Sequence, residues 1–138
     1  MKLQITDNTE KPIQGYEHLV IDNIEGFKEI VDHCCTDILL LNCLNDVDQE
    51  TASQVIQAAC LKLRQNGKIK IDAVDPKILC RSVANNQLDI NHFNNIIKDA
   101  KSFLSSKDIC EVLTKSKILV ESCLLEGIKY EITGIRKA

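Results

Sequence analysis

The segment from Asp37 to Ala73 constrains the fold more than any other part of the chain, because it predicts a strand, a helix and a second strand in succession. Its first part, Ile38-Leu39-Leu40-Leu41, is a continuous apolar run, which is typical of a strand buried on both faces. Its last part, Lys68-Ile69-Lys70-Ile71, alternates with period two. Strands joined through a helix are nearly always parallel neighbours in a right-handed crossover. The core is therefore predicted to be α/β, with the first of these strands at the centre of its sheet.

The helix of this unit is predicted between Glu50 and Arg64. Asn66-Gly67 follows it, and glycine adopts without steric cost the left-handed conformation that commonly ends a helix. Apolar residues recur at a spacing of three and four and mark one helix face: Ala52, Val55, Ile56, Ala59 and Leu63.

Length and charge restrict the class of protein. A chain of 138 residues without a linker-like segment predicts a single domain over 1–138. The formal net charge is −3 and the lysines are scattered, which argues against nucleic acid as a partner. The beginning, MKLQITDN, has no apolar signal region, and no apolar run approaches the roughly 18 residues that span a membrane. We therefore expect a cytoplasmic protein that does not bind a membrane.

The cysteines and histidines do not predict a metal site. The chain has 7 cysteines but no C-x-x-C pair, and its 3 histidines form none of the spacings typical of zinc ligands. Most of the cysteines lie on predicted strand or helix faces, where a free thiol behaves as a small apolar side chain. We predict reduced, mostly buried cysteines and no bound metal.

Further elements are predicted on both sides of the central unit. Strands at Lys2 to Thr6 and Glu17 to Ile21 precede it, and a helix with Asn23 or Asp22 as its N-cap follows the second of them. Three helices are predicted after the unit; their N-caps are Asp75, which precedes Pro76, then Asp89, and Ser105 or Ser106. The closing hairpin consists of Ile118 to Val120, a turn at Glu126-Gly127, and Lys129 to Ile135.

Several short motifs occur in a fixed order along these elements. The chain begins with Met1-Lys2-Leu3 and a strand, continues with Pro12 and Gly15-Tyr16, and reaches a strand that ends in Asp22. Later segments are LLLNCLNDV, then LRQNGKIKIDAVDP, then KILVESCLLEGIKYEITGIRK. This order resembles, over nearly the whole chain, the compact class I S-adenosylmethionine-dependent methyltransferases. The resemblance implies a Rossmann-like, methyltransferase-type three-layer sandwich with a mostly parallel sheet and a C-terminal antiparallel hairpin.

The chain departs from this family at the first loop. The family has G-x-G there, because glycine lets the backbone approach the methionine part of the cofactor. The matching positions here are Thr6, Asp7 and Asn8. Their side chains are expected to project where the amino acid of the cofactor would lie, and Asp7 would place a carboxylate near the cofactor's own.

A second departure is length. Between Asp22 and Ile38 the family has another strand and helix, with an acid that meets the adenine ring, whereas one helix fits here. The resemblance therefore implies a fold shortened by about one strand and one helix. Asp22 matches the acid that the family places on the ribose hydroxyls, although a helix N-cap is an equally good interpretation.

Two functions follow from the resemblance. A preserved scaffold without the glycines favours a methyltransferase-like domain that has lost S-adenosylmethionine binding and acts as a non-catalytic binding or structural module. The alternative is an active S-adenosylmethionine-dependent methyltransferase of compact architecture, with its catalytic edge at 42–46. The candidate cofactor-binding residues are Thr6, Asp7, Asn8, Asp22, Asn42, Cys43 and Leu44.

The carboxyl ends of the parallel strands are expected to form one edge of the sheet, which we call the rim and where open α/β sheets bind ligands. The rim suggests two further hypotheses. Its acids could bind a divalent cation through oxygen ligands, although solvated loop carboxylates are the commoner case. Cys43 could act as a nucleophile, but no histidine lies near it in sequence to serve as its base. The acids expected to converge on this rim are Asp7, Asp22, Asp46, Asp72 and Asp75.

The shortened sheet also predicts an oligomer. The loss of a strand and a helix leaves apolar surface or an open sheet edge that must be covered. Self-association is the simplest cover, so we expect a homodimer.

Overall fold

The computed structural model describes residues 1–7 and 9–137. Its strands are β1 (Lys2–Thr6), β2 (Glu17–Val20), β3 (Cys35–Leu40), β4 (Leu63–Val74), β5 (Ile118–Glu126) and β6 (Lys129–Arg136). Its α-helices are α1 (Gln49–Lys62), α2 (Pro76–Ala84), α3 (Ile90–Asp99) and α4 (Ser106–Lys115). Short 3-10 helices span Ile24–Glu29 and Leu44–Asp46.

The strands form one 6-stranded sheet in the order β2-β1-β3-β4-β6-β5. The first four strands of this order are parallel, and β6 and β5 run antiparallel to their neighbours. The α/β class, the central position of β3 and the antiparallel closing hairpin are therefore confirmed. The hairpin turns at Gly127, whose φ of 59° is one that glycine tolerates.

The sheet is shortened in the predicted place. Residues 21–34, between β2 and β3, contain the 3-10 helix Ile24–Glu29 and no strand. This helix is shorter than predicted, and Asn23, not Asp22, is its N-cap. Gly26 lies within this helix and is a weak helix former, which accounts for part of the difference in length. It also lies close to β2, because a Cβ at this position would come within 2.2 Å of Leu19 Cδ1.

The connection between β1 and β2 is also unusually short for parallel neighbours. The residues described in it, Asp7 and 9–16, form turns and bends but no helix. Gln4 of β1 anchors this loop: its side chain donates to Lys11 O at 3.2 Å and accepts from Ile13 N at 2.7 Å. A loop therefore lies where a crossover helix would otherwise pack on the sheet.

The two faces of the sheet differ in burial. One face packs against α1 and α4, and its side chains include Leu3, Ile5, Ile38, Leu40, Ile69 and Ile71, all at most 1% exposed. On the opposite face, which we call the open face, Asp37 and Leu39 of β3 are half-buried. The buried-on-both-faces interpretation of β3 was therefore wrong. Ion pairs occupy the open face instead: Lys68 with Glu121 at 3.8 Å, and Lys70 with Glu131 at 3.6 Å.

The junction of α1 and β4 differs from its prediction. The helix ends at Lys62, and β4 begins at once with Leu63. Asn66, with a φ of 64°, takes the left-handed conformation that had been assigned to Gly67. Gly67 is instead a position of close backbone approach, because a Cβ there would lie 2.9 Å from the backbone oxygens of Arg64 and Cys35.

The predicted N-caps of α2 and α4 are confirmed. Asp75 caps α2 and accepts hydrogen bonds from Lys77 N at 2.8 Å and Ile78 N at 3.3 Å. Ser105 caps α4 in a capping box with Asp108.

The cysteines are free, and their burial varies: Cys35, Cys43 and Cys60 are buried, whereas Cys80 and Cys123 are exposed. Among the helices of the described chain, none is long and apolar enough to cross a membrane.

Candidate functional site

A cavity of about 390 Å³ lies at the carboxyl ends of β1, β2 and β3, which is where open α/β sheets bind ligands. We call it the rim cavity. Its lining is strongly acidic and contains one lysine: Asp7, Thr9, Val20, Ile21, Asp22, Asp46, Val47, Asp99 and Lys101. Of the predicted cofactor-binding residues, Asp7 and Asp22 line this cavity, and Asn8 lies outside the described residues.

Thr6 ends β1 beneath the cavity and is 1% exposed. Its hydroxyl donates to Asp7 O at 2.9 Å and lies 2.6 Å from His18 Nε2. The roles of donor and acceptor in this second bond depend on the tautomer of His18. The hydroxyl of Thr6 is thus committed to the protein's own groups.

Asp7 organises the loop that follows β1. Its Oδ1 accepts hydrogen bonds from Thr9 N at 2.9 Å, from Thr9 Oγ1 at 2.7 Å and from Glu10 N at 3.1 Å. Slight burial raises the pKa of Asp7, but the hydrogen bonds from Thr9 and Glu10 outweigh it, so the pKa is lowered overall. The carboxylate therefore remains charged and occupies the free N–H groups of this turn.

Asp46 lies next to Asp7 and behaves in the opposite way. Burial raises the pKa of Asp46, and so do the charge of Asp7 and a hydrogen bond to it, while Lys101 acts against them. Two neighbouring carboxyls whose pKa values are pushed apart can hold one proton between them. The rim cavity thus combines a firmly ionised carboxylate with one that takes up a proton more readily.

Replacing Asp46 by asparagine is expected to stabilise the protein at pH 7. A group whose pKa is raised by folding contributes its full stability below the unfolded pKa, and this contribution is lost as the pH rises through the folded pKa. The Asp46→Asn substitution removes the ionised form that is unfavourable at neutral pH, which is worth at most about 1 kcal/mol in this partly solvated position. Thermal unfolding between pH 4 and pH 8 should show a gain for the variant that shrinks in acid.

The matched control for this experiment is Asp22→Asn, which removes an exposed carboxylate from the same cavity. It makes the same change in net charge without relieving the repulsion between the neighbouring carboxyls of Asp7 and Asp46. Equal shifts for the two variants at every pH would contradict the assignment to Asp46.

The predicted catalytic edge after β3 is held by structural hydrogen bonds. Asn42, with a φ of 56°, donates its backbone N–H to Asp72 Oδ1 at 2.7 Å, and its side-chain oxygen accepts from Lys129 Nζ. Burial raises the pKa of Asp72. Asp72 lines a separate cavity of about 410 Å³ beside the β5–β6 turn, and Asn42 is not among the residues that line the rim cavity.

Cys43 and Leu44 belong to the hydrophobic core. They are 1% and 2% exposed, and the Cys43 thiol donates to Ile5 O at 3.6 Å. Burial, followed by the charge of Asp72, raises the pKa of Cys43. The thiolate that a nucleophile requires is therefore disfavoured at this position.

Sequence reasoning missed the segment 99–102, which we call the rim strap. Asn45 binds it at two points, donating to Ser102 O at 3.1 Å and accepting from Lys101 N at 2.7 Å, and the Ser102 hydroxyl donates to Val47 O at 2.6 Å. Asp99 and Lys101 thereby reach the rim cavity. No local motif marks this segment, because its partners lie more than fifty residues away in the chain.

The five acids expected on the rim do not form one cluster. Asp7, Asp22 and Asp46 line the rim cavity, whereas Asp72 binds Asn42 and Asp75 caps α2. Within residues 1–7 and 9–137, no group of three or more histidines, cysteines or acids is arranged to hold a metal ion.

No family model and no curated protein sequence matches the chain. Solved structures do match it. A SAM-dependent methyltransferase from Methanosarcina mazei aligns with a TM-score of 0.64 and 10% identity, over 99% of this chain and 82% of that one. A SAM-dependent methyltransferase from Thermotoga maritima, described as a possible histamine N-methyltransferase, aligns with a TM-score of 0.61 and 14% identity over the same shares.

An O-methyltransferase family protein from Burkholderia thailandensis gives a TM-score of 0.64 at 14% identity, and it matches 89% of this chain. The chain spans 36% of the length of that protein. Identities this low show a common fold and nothing of activity. Together with the strand order and the antiparallel end of the sheet, they show that the chain has the Rossmann-like fold of the class I S-adenosylmethionine-dependent methyltransferases.

Proposed function

We propose that this chain is a methyltransferase-like domain that has lost S-adenosylmethionine binding and acts as a non-catalytic binding or structural module. The observation that carries the proposal is the position of the Asp7 carboxylate. In Rossmann-like sheets, the turn after the first strand offers free backbone N–H groups to an anionic part of the ligand. Here the N–H groups of Thr9 and Glu10 already bind Asp7.

The charge of this turn also opposes the cofactor. The pKa of Asp7 is lowered, so the carboxylate is ionised at neutral pH. The carboxylate of an incoming S-adenosylmethionine would meet a fixed negative charge in place of hydrogen-bond donors. The residues present do not fit the amino-acid end of the cofactor.

The connection between β1 and β2 removes a second source of attraction. A helix that begins after the first strand would point its positive end at an anion. In the described part of this connection, Asp7 and 9–16, there is no helix. The described part of this loop therefore supplies no helix dipole to offset the Asp7 carboxylate, and the positive group that lines the cavity is the side chain of Lys101.

The far edge of the rim supports the same proposal. Residues 21–34 add no strand beyond β2, so the rim cavity is open where the adenine would need a wall. At the edge that would be catalytic, Asn42 and Asn45 are used to hold β4 and the rim strap.

One observation favours the alternative, an active methyltransferase of compact architecture. The rim cavity is retained, and Asp22 lines it at the end of β2, where an acid could meet ribose hydroxyls. The two proposals make opposite predictions about binding of the cofactor.

Calorimetric titration separates the two proposals. S-adenosylmethionine and S-adenosylhomocysteine are expected to show no saturable heat, with any dissociation constant weaker than about 1 mM. The Asp7→Gly variant is expected to remain without binding, because the crossover helix is also missing. Micromolar binding by the unaltered chain that weakens in Asp22→Ala would overturn the proposal and establish the active alternative.

A further inference from the structure

The strand β5 forms one edge of the sheet, and more of its residues are exposed than in β2 at the other edge. It has 9 residues, whereas β2 at the other edge has 4. Three leucines of β5 are largely exposed: Leu119 at 54%, Leu124 at 61% and Leu125 at 63%. A long edge strand with apolar side chains offers a row of backbone N–H and C=O groups for pairing with another strand.

A bulge in the middle of β5 decides which side chains share a face. The pairing with β6 shifts between Val120 and Ser122, and Glu121 between them reaches Lys68 of the open face. Leu119 and Leu124 are five positions apart, so a regular strand would place them on opposite faces, and the bulge places them on the same face of the sheet. Ile118, Val120, Cys123 and Leu125 lie on the helical face, opposite to Leu119, Glu121, Ser122 and Leu124.

We propose that two copies of this chain associate edge to edge through β5, antiparallel, in the register that places Leu119 of one copy opposite Leu124 of the other. In this register every pair within the strand, from Ile118 to Leu125, has both side chains on the same face, as a continuous sheet requires. Shifting the register by one residue sets open-face positions against helical-face positions. The pairs are Lys117 with Glu126, Ile118 with Leu125, Leu119 with Leu124, Val120 with Cys123, and Glu121 with Ser122.

The charges at the two ends of β5 favour antiparallel pairing. They also favour a second copy of this chain as the partner of this edge. Lys117 precedes β5 and Glu126 ends it, and both side chains are exposed. Antiparallel pairing of two identical strands places opposite charges together at both ends of the interface, whereas parallel pairing places like charges together. An arrangement that satisfies itself under a twofold axis is the signature of an isologous interface. The expected homodimer is thus assigned to the edge far from the shortened side of the sheet.

A disulfide test reads the register directly. Val120→Cys would place a new thiol opposite Cys123 of the second copy. Within one chain these positions are three residues apart along a strand, about 10 Å, which is too far for a disulfide. Under a mild copper oxidant, and with the exposed Cys80 replaced by serine, the variant is expected to form a covalent dimer that reductant dissolves. Adding Cys123→Ser should abolish it.

A second test measures association without added thiols. Leu124→Lys puts a charge opposite the apolar Leu119 of the second copy and is expected to weaken dimerisation at least about tenfold in analytical ultracentrifugation. Val31→Lys is the matched control, because Val31 is an exposed apolar residue, 73% accessible, outside β5. A wild-type chain that is monomeric at about 100 μM, a scale at which weak specific dimers still form, would overturn the proposal. So would cross-linking of Val120→Cys that persists without Cys123.

Discussion

Replacing Gly67 by alanine is expected to lower the free energy of unfolding by about 3 kcal/mol. The added Cβ would lie 2.8 Å from Leu63 Cδ1 and 2.9 Å from the backbone oxygens of Arg64 and Cys35. A side chain could rotate away, but the two backbone oxygens belong to β3 and β4 at the centre of the sheet. They can move only if the pairing of Cys35 with Leu63 is disturbed. Urea denaturation would measure the loss.

Gly127→Ala is the matched control for this prediction. Gly127 has a φ of 59° and no neighbouring atom within 4 Å of the position of an added Cβ. Alanine at this position is expected to lower the free energy of unfolding by about 1 kcal/mol because of its left-handed backbone, with no further loss from close contacts. Losses of the same size in the two variants would mean that conformation, not close approach, explains Gly67.

Gly67 also illustrates how far the sequence could be interpreted. A glycine between a predicted helix and a predicted strand indicates a special backbone position, and this was correct. Two reasons for a glycine, a left-handed conformation and a close approach, give the same local pattern. Only the packing of β3 against β4 distinguishes them, since Cys35 lies 32 positions before Gly67.

Structural features that depend on residues close in the sequence were predictable. Asp75 before Pro76, and Ser105 three residues before Asp108, cap their helices as local rules indicate. The alternation of Lys68 to Ile71 indicates a strand with one polar face, and Lys68 and Lys70 do lie on the open face. The apolar run at Ile38 to Leu41 concealed that this face is open, because hydrophobicity alone does not show whether a helix covers a strand.

At the rim, too, features set by residues close in sequence were predictable, and features set by distant residues were not. The hydrogen bonds of Asp7 reach two and three residues along the chain, so a local turn was within reach of sequence reasoning. The rim strap was not, because Asn45 and Ser102 are 57 residues apart. The burial of Cys43 and Leu44 also depends on distant elements, which is why both were predicted on the rim but lie in the core.

Tyr130→Ala is expected to cost about 4 kcal/mol, as for other large aromatic residues removed from a core. Tyr130 of β6 is fully buried, and its hydroxyl donates to Leu104 O at 2.7 Å. Burial raises the pKa of Tyr130, so the hydroxyl keeps its proton and remains a donor. Tyr130→Phe keeps the ring but leaves Leu104 O without this donor, which is expected to cost about 1 to 2 kcal/mol.

The two Tyr130 variants separate ring packing from the hydrogen bond. Urea denaturation measures both, with Tyr16→Phe, a change at a half-buried tyrosine, as the control. If Tyr130→Phe and Tyr130→Ala lowered the free energy of unfolding equally, the stabilisation assigned to packing of the ring would be contradicted. Leu104 lies two residues after the end of the rim strap, so weakening its anchor should also loosen the bond from Lys101 N to Asn45 O. Hydrogen exchange at Lys101 is therefore expected to accelerate in Tyr130→Phe more than global unfolding alone explains. This result would show that the core of the sheet, through Tyr130, holds the wall of the rim cavity in place.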